Sequence, residues 1–109
     1  MNQLKFITSK ELAESKDKSM MVLDIRDSVN FRQNAVKGSV NIDVYHDIHE
    51  GNYALVKEKL KALPKDKKII TVCNAGVTAQ AATRILESMG YESFVLEHGM
   101  IGWNRLRHN

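Results

Sequence analysis

The chain has 109 residues, 43% of them hydrophobic and 27% charged, with a formal net charge of +3. That length suits one domain over residues 1–109, with a core of its own. Scattered lysines and scarce aromatics argue against a nucleic-acid surface, and no apolar run approaches a membrane span. The segment after Met1 lacks the apolar core of a secretory signal. Cys73 is the only cysteine, which excludes an internal disulfide and fits a reducing compartment; the expected location is the cytoplasm.

Leu4 to Ile7 reads as a short first strand. Thr8-Ser9-Lys10-Glu11 is a capping box, and Ile7 with Leu12 fits the accompanying hydrophobic staple, so a helix is expected from about Ser9 to Ser15. Met20 to Ile25 is apolar enough for a strand buried on both faces, as parallel sheets produce. Asp24, Arg26 and Asp27 fall at its C-terminal end, where open α/β sheets place their ligands. Ser28 to Gln33 is expected to make one or two helical turns, with Val29 and Phe31 as inward anchors. Ser39 to Ile42 is a brief third strand.

Asp43 to Gly51 reads as irregular, and His46 and His49 within it read as part of a solvated loop. With no helix behind them and no second cluster of ligands, no metal site is expected. Asn52 caps a helix whose apolar face is Tyr53, Val56, Leu60 and Leu63. The β-branched run Ile69-Ile70-Thr71-Val72 is a buried strand. Ala82, Ile85, Leu86 and Met89 repeat at i, i+3, i+4, i+7, the apolar stripe of a helix that Gly90 ends in a left-handed cap. Ser93 to Leu96 is a fifth strand, and Gly99 opens a last helix carrying Ile101, Trp103 and Leu106. Alternating strands and helices imply an α/β fold, a parallel sheet with helices on both faces.

Cys73 lies between a strand and a helix, on the six-residue turn Cys73-Asn74-Ala75-Gly76-Val77-Thr78. A lone cysteine is by default a small buried hydrophobe. Here it faces the N-terminus of a helix, whose free N–H groups and dipole favour the thiolate, the nucleophilic form. Gly76 lets the backbone curl so that successive N–H groups point inward at one atom. Cys73 is therefore the candidate catalytic residue.

Several landmarks recur in a fixed order: V-L-D-I-R-D at 22–27, Phe31, G-S-V-N-I at 38–42, I-T-V-C-N-A-G at 70–76, G-Y at 90–91 and L-E-H-G-M-I-G-W at 96–103. Together they resemble the single-domain rhodanese, or sulfurtransferase, family. The resemblance implies a five-stranded parallel sheet with the cysteine loop after the fourth strand. It also implies transfer of a sulfane sulfur from a thiosulfate- or persulfide-type donor, through a Cys73 persulfide, to a thiol or cyanide acceptor. Asn74, Ala75, Gly76, Val77 and Thr78 would bind substrate through loop amides and the Thr78 hydroxyl, with no cofactor and no metal. Donor and acceptor would be small molecules or protein-bound sulfur, with no nucleic-acid or membrane partner.

Related phosphatases use a loop ending in arginine six positions after the cysteine, where this chain has Ala79. Many family members carry a cation inside the loop, and here N-A-G-V-T carries none. Arg26 is the candidate outside cation, or else the structural partner of Asp24 or Asp27. His98 either faces the loop mouth, helping with a proton or an anion, or caps the surface. Two other functions fit the same landmarks: a non-catalytic rhodanese-like binding module, and a thiol redox or arsenate-reductase-like enzyme. Retention of Cys73 and Gly76 speaks against the first, and the lack of a second cysteine against the second.

Overall fold

Apolar periodicity sets the architecture of the computed structural model, which describes residues 3–107. The elements are β1 (Phe6–Ile7), α1 (Ser9–Glu14), β2 (Met20–Asp24), α2 (Ser28–Gln33), β3 (Val40–Asn41) and α3 (Tyr45–His49), then α4 (Tyr53–Leu60), β4 (Lys68–Val72), α5 (Thr78–Ser88), β5 (Glu92–Leu96) and α6 (Gly99–Arg107). The five strands form one sheet in the order β1-β5-β4-β2-β3. Every neighbouring pair is parallel. The expected α/β class and five-stranded parallel sheet are what the chain adopts.

Alternation along the strands divides the core into two layers. Leu23, Ile69, Val95 and Cys73 pack with Val56 and Leu60 of α4 and Ala82 and Leu86 of α5. Ile70, Val72 and Leu96 point the other way, against Met100 and Trp103 of α6. Truncating a fully buried leucine such as Leu86 to alanine costs about 2–5 kcal/mol, so these layers carry much of the stability.

Local signals end the elements where expected. Thr8 Oγ1 accepts from the Glu11 amide, and the Glu11 side chain accepts from the Thr8 amide, which closes the capping box. This contact holds the Glu11 carboxyl below its usual range. After α5, Gly90 takes φ 94°; its N–H donates to Glu87 O, and that of Tyr91 donates to Leu86 O. Two of the carbonyls left open by the last turn thereby gain partners.

Three expectations need correction. Residues 43–51 are not irregular, because Tyr45–His49 form α3. Val44 and Ile48, four apart, bury themselves beneath it, and Lys59 Nζ on α4 meets Asp47 Oδ2 at 2.6 Å. A helix this short cannot persist on propensity, so packing on α4 and α5 supplies its stability. Val29 is not an inward anchor, being 56% exposed. Polar contacts hold α2 instead: Asp27 accepts from the Asn30 amide at 2.8 Å, and Asn34 Nδ2 donates to Asn104 Oδ1 at 2.8 Å. Tyr53 is likewise exposed, leaving Val56, Leu60 and Leu63 as the buried face.

Candidate active site

From β2 the chain passes outward to β3, and from β4 it passes through α5 to β5 on the opposite side. The loops after β2 and β4 therefore part in opposite directions, which opens a crevice at the C-terminal ends of these neighbouring strands. Cys73 is the first residue beyond β4 and lies at that crevice, 2% exposed.

Two backbone amides point at its sulfur. The Gly76 N–H lies 3.2 Å from Cys73 Sγ and the Ala79 N–H 3.3 Å away. No side chain caps the start of α5, so one of its free N–H groups finds the sulfur instead. Of the Asn74–Thr78 amides expected from sequence, Gly76 is the one hydrogen-bonded to the sulfur, and the second donor, Ala79, lies one residue beyond that span. That position was legible in principle, because the second residue of any helix has an unpaired N–H.

The carbonyl groups of the loop are turned elsewhere. Met100 N–H donates to Cys73 O at 2.9 Å and Ile101 N–H to Asn74 O at 3.0 Å. Gln80 Nε2 donates to Gly76 O at 3.0 Å. Free N–H groups at the start of α6 therefore satisfy loop oxygens that would otherwise repel an anionic sulfur. This contact is close: a Cβ on Gly99 would stand 2.3 Å from Cys73 O. Gly76, at φ 88°, is crowded in the same way, with His98 N 3.1 Å from the place of a Cβ.

Behind the loop lies a buried hydroxyl chain. Thr71 Oγ1 is 3.1 Å from Ala79 O and 2.9 Å from Thr83 Oγ1, and Thr83 reaches Ser93 Oγ at 2.9 Å. Ser93 donates onward to Ile69 O at 3.0 Å. Each hydroxyl has a partner, so the chain ties the first turn of α5 to β4 and β5 without an unpaired buried group.

In front of the sulfur is a cavity of about 120 Å³ lined by Tyr45, Cys73, Asn74, Ala75, Val77 and Thr78. None of these side chains carries a formal charge. A larger cleft of about 180 Å³ over Phe6, Met20 and Phe94 does not include Cys73. Val77 stands 71% exposed at the rim. Tyr45 and His49 were not expected here. His49 Nε2 is 3.1 Å from Thr78 Oγ1, and its ring lies 4.5 Å from that of Tyr45. Their i, i+4 spacing was the available signal, hidden because the segment did not read as a helix.

Arg26 and Asp24 are both buried beside the crevice. Arg26 Nη2 meets Asp24 Oδ2 at 2.8 Å, Nε meets Oδ1 at 3.0 Å, and Nη2 also donates to Asn34 O at 2.6 Å. This is the structural ion pair, and Arg26 does not line the cavity. His98 takes φ 63° and its side chain is 73% exposed, with Nε2 3.4 Å from Glu97 Oε1. It too is absent from the cavity wall, so the structure gives neither side chain a place in the lining of the sulfur site.

A family model described as the rhodanese-like domain matches residues 8–106. The chain belongs to the rhodanese-like domain family. Among its relatives, the thiosulfate sulfurtransferase GlpE of Pseudomonas fluorescens is 25% identical over 94% of this chain and 87% of its own. The tRNA uridine(34) hydroxylase of Cytophaga hutchinsonii is 30% identical over 89% of this chain, which spans only 30% of that longer protein. The crystal structure of a rhodanese-related protein from Thermoplasma volcanium superposes with a TM-score of 0.78 at 26% identity, covering 94% of this chain and 92% of that one. These rhodanese-like relatives include proteins named as sulfurtransferases.

Proposed function

We propose that the protein is a sulfurtransferase in which Cys73 carries sulfane sulfur as a persulfide. The observation that carries this reading is the Cys73 thiol held against inward amides of Gly76 and Ala79, at the floor of an uncharged cavity. With thiosulfate, the Cys73 thiolate attacks the outer sulfur. A Cys73 S–S bond forms, the S–S bond of thiosulfate breaks, and sulfite leaves with the electron pair. With cyanide as acceptor, its carbon attacks the terminal sulfur, thiocyanate forms, and the Cys73 thiolate is restored.

The added sulfur lies about 2 Å beyond Sγ, within the cavity. Amides suit it because they stabilise an anion while offering neither a nucleophile nor an easily lost proton. The name of the Pseudomonas relative supports the same chemistry. Donor and acceptor are small molecules or protein-bound sulfur. Mass spectrometry after incubation with thiosulfate or a persulfide is expected to show a gain of one sulfur atom at Cys73. The Cys73→Ser variant is expected to gain none, to lose thiocyanate formation, and to keep its melting behaviour. A wild-type protein that stays unmodified with both donors would refute the assignment.

A further inference from the structure

Cys73 and the loop amides leave one polar pair at the cavity unexplained. Thr78, only 9% exposed, lines the cavity beside Cys73, and its hydroxyl lies 3.1 Å from His49 Nε2. His49 ends α3 on the exposed side, with the Tyr45 ring packed against it. Among the described residues no carboxylate pairs with its imidazole. A hydroxyl on the cavity wall is thus hydrogen-bonded to an imidazole that reaches the protein surface.

We propose that Thr78 and His49 form a proton relay for persulfide donors, an inference resting on the persulfide reading of Cys73. For a donor R–S–S–H, the Cys73 thiolate attacks the outer sulfur. The Cys73 S–S bond forms, the donor's S–S bond breaks, and its electron pair remains on the leaving thiolate R–S⁻. The balance is Cys73–S⁻ plus R–S–S–H giving Cys73–S–S⁻ plus R–SH. Sulfane sulfur passes between two thiols, so nothing is oxidised or reduced overall. One proton, however, must leave the outer sulfur and reach the departing one. Backbone amides cannot accept it. A hydroxyl can receive and give a proton in one motion, and an imidazole beside it can supply or drain the proton from solvent.

Thiosulfate makes no such demand, because sulfite departs as an anion without needing a proton. The relay therefore predicts a split between donor classes. His49 acts through Thr78 and is a positioning and relay residue, with no contact of its own to the sulfur.

The test loads Cys73 in the full-length chain from glutathione persulfide and, separately, from thiosulfate, in single turnovers followed by mass spectrometry. In His49→Ala and in Thr78→Val, the persulfide rate is expected to fall about tenfold to a hundredfold relative to the thiosulfate rate, at the low end of general acid–base effects. Thr78→Ser keeps a hydroxyl and should retain the wild-type ratio. Free imidazole should restore part of the persulfide rate of His49→Ala. An equal loss with both donors, no loss with either, or a His49→Ala defect untouched by imidazole would make the contact merely structural and overturn the relay. Wild-type protein that loads from neither donor would instead refute the persulfide reading itself, and the relay with it.

Discussion

The loops after β2 and β4 start level with one another on adjacent strands, since Asp24 pairs with Val72, yet they solve opposite electrostatic problems. The β2 loop buries a full ion pair, Asp24 with Arg26, and closes it with the Asn34 carbonyl and with Asn41 Nδ2, which donates to Asp24 O and Arg26 O. The β4 loop buries a single thiol against the amides of Gly76 and Ala79, leaving room in front. One site is closed within the fold; the other keeps an open cavity in front of its sulfur. The difference teaches that proximity to the crevice does not make a cation part of the site. Arg26 is next to it and already engaged.

The comparison breaks most sharply at the ion pair. Asp24→Ala leaves the Arg26 guanidinium buried without its carboxylate, and denaturant unfolding should show a loss of about 3–5 kcal/mol. Replacing both residues by leucine should recover much of it, with the KM for thiosulfate little changed. A large rise in that KM in the folded double variant would return Arg26 to the substrate site.

Next comes the contact that turns the loop carbonyls outward. Gly99→Ala puts a Cβ against the Cys73 carbonyl at a positive φ, so α6 or the loop must shift. A loss of about 2–4 kcal/mol is expected from strain and overpacking, together with slower persulfide formation. Stability lost with no change in loading rate would show that α6 does not tune the sulfur site.

A smaller effect sharpens the contrast between the engaged cation and the uncharged cavity. Val77→Arg places a guanidinium at the exposed rim, and the KM for thiosulfate should fall about tenfold, since a charge-assisted contact is roughly twice as strong as a neutral one. A persulfide donor should gain less. If the wild type already binds thiosulfate tightly, the uncharged loop says little about its donor.

The smallest expected effect concerns an exposed pair far from both loops. Hydrogen bonds from Ser19, then the contact with Lys68, lower the Asp17 pKa from 3.8 to about 2. Its contribution to stability is present above the unfolded value and is lost as pH falls through about 2. The Lys68 pKa is raised by Asp17, so its own contribution holds below 10.5 and disappears as pH rises through the raised value. Asp17→Asn should lower the melting temperature slightly at neutral pH, less so in high salt, and flatten the acid limb of the stability curve.

Sequence alone determined what depends on near neighbours: the strand and helix periods, the Thr8 and Asn52 caps, the Gly90 stop, and a cysteine poised between a strand and a helix. Each of these is written in residues a few positions apart, because caps, turns and amphipathic stripes are local physics. From them followed the parallel sheet and the position of Cys73. Tertiary structure decided the rest. Whether Arg26 would meet a ligand or Asp24 depended on which partner the folded crevice held within reach. The turn at Tyr45–His49 forms only where α4 and α5 offer a surface to bury Val44 and Ile48. His49 meets Thr78, 29 positions away in sequence, only because that packing brings α3 beside the start of α5. No periodicity encodes such a meeting: it is set by how two helices share one core.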